Sequence, residues 1–145
     1  MAEAAAPQGN GPMKLTITHH RKPEHTHEAF MKWIVEKHVP LAVPVFKKHG
    51  IIGYSLFDTP GSLNGALEQE MKPMRPTWDF ADFDCVTEYT LPDVQTIRSL
   101  TADPDFAASI ADQEDWVDTA KAMVSLGHCT PYLLESGEVM NVAGA

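Results

Sequence analysis

Basic residues are scarce in this chain: 11 Lys and Arg stand against 20 Asp and Glu in 145 residues, a formal net charge of -9. Nucleic-acid phosphates require clustered cations. The largest basic groupings here are Arg21-Lys22 and Lys47-Lys48, so nucleic acid is excluded as a partner. Cysteine is nearly missing. Cys85 and Cys129 lie far apart without CxxC spacing, which argues against a disulfide framework and fits reduced thiols in a cytoplasmic protein. No apolar run approaches the roughly 18 residues that a membrane helix needs, so no membrane segment is expected. The opening MAEAAAPQGNGPM has neither the basic start nor the apolar stretch of a secretory signal. GxGxxG, P-loop and GxSxG motifs are also missing, which removes nucleotide cofactors and covalent acyl transfer from the expected chemistry. Two classes are left: cofactor-free acid–base chemistry in an apolar cavity, and binding without chemistry.

Hydrophobic residues make up 43% of the chain, enough for one buried core at this length. Residues 1–12 and 136–145 read as tails around a single domain at 13–135. KLTITHHR (14–21) alternates, with Leu15, Ile17 and His19 on one face, and predicts a strand. Thr26 is a candidate helix N-cap and Glu28 a first-turn carboxylate. Phe30, Trp33, Ile34, His38 and Leu41 then recur at helical spacing. Pro40 predicts a bend or break, Pro44 the start of a second short helix, and Gly50 its stop. IIGYSLF (51–57) predicts a second strand with Ile52, Tyr54, Leu56 and Asp58 on one side. DTPGSLNG reads as a turn and ALEQEMKPM as a short helix. The 60–82 connection has the length of a lid. DCVTEYTL (84–91) predicts a third strand, 92–101 and 104–118 predict helices, and 120–135 predicts a fourth strand. The order β-α-β-β-α-β is that of an α+β, ferredoxin-like fold with helices on one sheet face. Its other face, read as apolar or mixed, favours a homodimer packed sheet to sheet.

Histidine is abundant, with seven residues, yet no pair has the i, i+4 spacing of a helical zinc site and no metal is expected. His25 and His27 read as solvated loop residues, and His49 as a helix C-terminal cation. His38 differs because it shares the apolar helix stripe. Two readings stand: a core imidazole satisfied by a backbone carbonyl, or an acid–base group lining a cavity between helix and sheet. His19, on the Leu15–Ile17 face, and Asp84, at the entrance of the third strand, are the next catalytic candidates. An acid within a sheet needs a partner, and Asp84 is open to an exposed reading at the strand end. Tyr54, Trp33, Trp78, Phe80 and His128 are candidate substrate contacts.

LTITHHRKPEHTHEAFMKWIVEKHVPLA resembles the opening of EthD-type dimeric α+β barrel proteins. The likeness lies in Arg21-Lys22-Pro23, the aromatic helix face at Phe30 and Trp33, and His38-Val39-Pro40-Leu41. GIIGYSLFDTP and DFDCVTEYTLPDVQTIRSLTADPDFAAS extend it over about residues 13–130. It is similar to the fungal branch of aromatic polyketide pathways, decarboxylases acting on atrochrysone carboxylic acid-like precursors. The resemblance implies a dimeric barrel, no cofactor, an aromatic polyketide as small-molecule partner, and His38 at the cavity. His38 would then donate the proton for decarboxylation, with His19, Tyr54 or Asp84 setting its tautomer or holding substrate phenols. Dehydration or cyclisation, cofactor-free anthrone oxygenation, and non-catalytic carriage of a pigment precursor are the rival expectations.

Overall fold

A computed structural model describes residues 12–144; nearly all of the predicted N-terminal tail lies outside the described residues. Alternation of side chains builds four strands, β1 (Met13–His19), β2 (Gly53–Asp58), β3 (Cys85–Leu91) and β4 (Val124–His128). They pair antiparallel in the order β2-β3-β1-β4, the ferredoxin-like arrangement. Register places Leu15, Ile17 and His19 of β1 opposite Tyr89, Thr87 and Cys85 of β3, all on the helix-covered face. Along β3 every second residue is buried, as a strand with one covered face requires.

The outer face carries the other parity. Lys14 pairs with Glu88 at 2.8 Å and the Thr16 and Ser125 hydroxyls meet at 2.5 Å. With Thr18, Ser55 and Thr90 beside them and an exposed Phe57 opposite Val86, this face is mixed, with polar side chains in the majority.

The first crossover holds α1 (His27–Trp33), a π-helical turn (Ile34–His38) and α2 (Val39–Lys48), which run on without a break. The Thr26 hydroxyl caps α1 by accepting from the Ala29 N–H at 3.0 Å. The expected break at Pro40 and the separate helix from Pro44 do not occur. Instead the Val39 N–H reaches back five residues to the Ile34 carbonyl. The widened turn sits just ahead of Pro40, whose ring would crowd a regular α-turn. It also inserts one residue into the helical period. The buried stripe therefore passes from Phe30, Trp33 and Ile34 to Ala42, Val45 and Phe46, and Leu41, expected on the stripe, is 59% exposed. Gly50 ends the unit with φ +81°, a backbone state in which a side chain would be strained.

In the 60–82 connection the helix begins earlier than the sequence suggests. α3 (Gly61–Met71) covers most of the predicted turn, and none of its residues is buried. Gly61, Asn64 and Gly65 are weak helix formers and hide it. After β3 come α4 (Gln95–Thr101), α5 (Pro104–Ser109), capped by the Asp103 carboxylate, and α6 (Gln113–Trp116). The single helix expected over 104–118 is thus divided. The fourth strand is shorter than the predicted 120–135, stopping before Pro131. Beyond it Leu133 and Val139 form a bridge around a turn at Gly137.

The core has two clusters. One gathers Ala42, Val45, Phe46, Tyr89, Leu91 and Leu100; the other gathers Phe30, Trp33, Ile34, Cys85 and Val117. Tyr54 packs its ring at 4.9 Å from both Phe46 and Tyr89, yet its buried hydroxyl has no hydrogen-bond partner among the described residues. A buried, unpaired hydroxyl is unfavourable by about 1–3 kcal/mol. Tyr54→Phe should therefore leave the fold intact and raise stability by about 1 kcal/mol in denaturant titration; a loss of stability would mean that the hydroxyl is satisfied.

Candidate active site

Between the two core clusters lies a cavity of about 200 Å³, and both of its imidazoles come from the sequence-derived candidates: His19 from the end of β1 and His38 from the end of the π-turn. Trp33, Thr87, Tyr89, Phe106 and Gln113 complete the walls, with Thr119 at the exposed rim. No Lys, Arg, Asp or Glu is among the lining residues.

The π-turn aims His38 inward and seats its ring on Trp33, centroids 5.8 Å apart. His38 Nδ1 lies 3.3 Å from the Ser109 carbonyl. A carbonyl only accepts, so Nδ1 carries the proton and Nε2 presents a lone pair. Burial lowers the His38 pKa, against the opposing pull of the Ser109 bond and the Asp112 charge. His19 Nε2 lies 3.0 Å from the Thr87 hydroxyl, and the Tyr89 phenol belongs to a residue lining the same cavity. Burial, then the proximity of His38 and His20, pushes the His19 pKa down to about 4. Both rings are neutral at neutral pH. They are the two imidazoles of a largely apolar space, with His19 beside the Thr87 hydroxyl.

Behind His38 an aromatic stack runs outward. Trp33 lies parallel to Trp116 at 5.5 Å, and Trp116 to His25 at 4.0 Å. The Trp33 indole donates to Asp112 at 2.9 Å and His25 Nε2 donates to the Asp115 carbonyl at 2.8 Å. His25 is thus a packed residue rather than the solvated one expected.

Asp84 is not in this cavity, and it does not set the tautomer of His38; the Ser109 carbonyl does. It is buried at the entrance of β3, where it accepts from the Arg21 backbone N–H at 2.8 Å, the Arg21 guanidinium at 2.5 Å and His27 Nδ1 at 2.8 Å. Burial opposes its charge, but these three donors outweigh it and hold the carboxyl below its usual range. His27 Nε2 donates in turn to Asp58 at 2.8 Å. With both nitrogens facing carboxylates, and despite the opposing effect of burial, the His27 pKa is raised. His27, expected in solvent, is the centre of an Arg21–Asp84–His27–Asp58 network joining β1, α1, β2 and β3.

The remaining candidates scatter. Phe80 lines a separate polar pocket beside Asp84, Arg21 and His27, roofed by α3, so the 60–82 connection covers that pocket rather than the cavity of His19 and His38. Trp78 is half exposed under Arg75. Tyr54 belongs to the core rather than to the cavity wall. His128 pairs across from Met13 at the far end of β1. Thr87 and Tyr89 were missed, although strand parity alone puts them on the face of Leu91 and Cys85.

The EthD domain model matches residues 22–120. A dehydratase of Pestalotiopsis fici, iacD, is 32% identical over 90% of this chain and 94% of its own length. A putative oxygenase of Aspergillus terreus is 28% identical over 90% and 81% of the two chains, and a decarboxylase of Emericella nidulans 23% over 82% and 78%. Among solved structures, an EthD-family protein of Bacillus halodurans superposes with TM-score 0.56 at 18% identity, covering 82% of this chain and 99% of that one. SnoaB of Streptomyces nogalater, a cofactor-independent oxygenase, superposes with TM-score 0.54 at 13% identity over 86% and 99%. The ferredoxin-like fold, the matched domain and the identity to iacD agree: the chain belongs to the EthD family.

Proposed function

We propose that the protein is a cofactor-free lyase that removes water from an aromatic-forming polyketide, with His38 as the base. The observation that carries this reading is the His38 ring: its Nδ1–H is committed to Ser109, and Nε2 is left as a neutral base in an apolar cavity. His38 Nε2 takes a proton from the carbon beside a ring carbonyl, which accepts the electron pair as an enolate. The enolate collapses to a C=C bond as the C–O bond of the β-hydroxyl breaks. The imidazolium returns its proton to the departing oxygen, and water leaves. The His19–Thr87–Tyr89 cluster holds the carbonyl oxygen as charge develops on it. The carbonyl is the electron sink, so the chemistry asks for no metal or nucleotide. The proposal includes a homodimer packed through the mixed outer sheet face around Phe57 and Val86.

Decarboxylation, the first expectation from sequence, is the second reading. An uncharged, apolar wall disfavours a bound carboxylate, and relatives named decarboxylase are 21–23% identical. Dehydration ranks ahead for two reasons. The 32% relative is named a dehydratase. Two imidazoles with depressed pKa values stand unprotonated at neutral pH, so neither holds a proton ready for a carbanion while both present a free nitrogen lone pair.

A pH profile tests the base. With the His38 pKa lowered, its basic form is present above a value under the ordinary 6.5. Plotted against pH, kcat/KM should rise through an acid limb lying below that value and be flat at neutrality. A rate that increases on acidification would point to a protonated donor and favour decarboxylation.

A further inference from the structure

The histidine cavity shares one wall with a neighbouring space. Ile17, Tyr89 and Phe106 also line a second space of about 410 Å³, bounded by Ile97 and Leu100 of α4 and by Val124 and Leu126 of β4. Val124 and Leu126 lie on the helix-facing parity of β4, opposite Ile17 and Leu15, yet they are 63% and 43% exposed. The compartment therefore reaches the surface along the free edge of the sheet. Among the described residues, Thr96 and Thr101 are its only polar side chains besides Tyr89.

Size and chemistry give this space an occupant. A cavity of about 200 Å³ is below the range of about 300–1,000 Å³ that encloses a drug-sized ligand, and the two compartments together fall inside it. The hydrogen-bonding groups and bases are at one end, and the other end offers almost none. We propose that the substrate is elongated and spans both compartments. Its oxygenated, reacting ring lies between His19 and His38. An unoxygenated distal part, an alkyl chain or a hydrocarbon ring, passes Phe106 into the compartment under β4. This rests on the proposed reading that a small molecule reacts at the histidines, and it adds the substrate class.

A homologous series of 5-alkylresorcinols, from methyl to heptyl, tests it by calorimetric titration of the whole chain. Affinity should rise along the series by up to about fourfold per buried methylene. Leu126→Trp, at an exposed edge position that tolerates bulk, should flatten that rise and leave the methyl member's affinity unchanged. Phe106→Ala, which thins the wall shared by the two compartments, should shift the gain to bulkier chains. If the methyl member binds with no gain along the series, the elongated-substrate inference is wrong and the histidine site stands. If no member binds, both fail. If Leu126→Trp alters the oligomeric mass while the wild-type protein shows no chain-length gain, a second copy covers the compartment and the inference is overturned.

Discussion

His38→Ala should lower kcat by roughly 100- to 10,000-fold, the usual contribution of a positioned general base, without unfolding the protein. Outside catalysis, and among the described residues, the imidazole makes one hydrogen bond, to the Ser109 carbonyl, and one stack, on Trp33. Losing that bond costs about 1 kcal/mol, which a folded domain tolerates. His38→Gln separates the two roles. Its amide retains a donor for Ser109 but cannot accept a proton from carbon, so activity should stay low while Tm returns toward wild type. Full turnover in either variant, measured at saturating substrate, would remove His38 from the chemistry.

Asp84→Ala should do the converse. It deletes a buried carboxylate that receives three hydrogen bonds and releases the junction of β1, α1, β2 and β3. Removing one partner of a fully buried ion pair is destabilising by about 3–5 kcal/mol. Arg21 is 38% exposed and regains water, so about 3 kcal/mol is the expectation, or a fall in Tm of roughly 6–12 °C. At a temperature where the variant is folded, kcat should be within a fewfold of wild type, because no Asp84 atom lines the histidine cavity. A large loss of kcat with unchanged Tm would return Asp84 to the catalytic group.

The same network fixes the sign of the pH dependence. Asp84 has a folded pKa below its unfolded value, so its contribution is present above about 3.9 and lost as pH falls through the lower folded value. His27 has a raised folded pKa, so its contribution is complete below about 6.5 and lost as pH rises through that higher value. In Asp84→Ala the acid-side loss attributable to this carboxylate should disappear.

How far the sequence reaches can be seen residue by residue. Strand alternation places Leu15, Ile17 and His19 on the helix face, and helical spacing turns Trp33 and His38 inward; both follow from fixed periods of two and 3.6. The π-turn breaks the second period. A one-residue insertion leaves no mark in composition, so Leu41 was expected inside and Ala42 and Phe46 are there instead. Pro40 was a visible signal for a local irregularity, but not for its form. Asp84, His27 and His25 were misplaced for a different reason. Their partners lie 31 to 90 residues away, and long-range pairing has no local signature. Thr87 and Tyr89 are within reach of the parity rule, which sets them on the face of Cys85 and Leu91.

The most direct test is the mass of the product. Purified protein and His38→Ala would each be incubated with a hydroaromatic polyketide carrying a β-hydroxy ketone and a carboxyl group. The account predicts that the wild-type protein removes one water, that the carboxyl is retained, and that the variant leaves the substrate intact. Loss of carbon dioxide with the hydroxyl retained, or wild-type rates from His38→Ala, would contradict it.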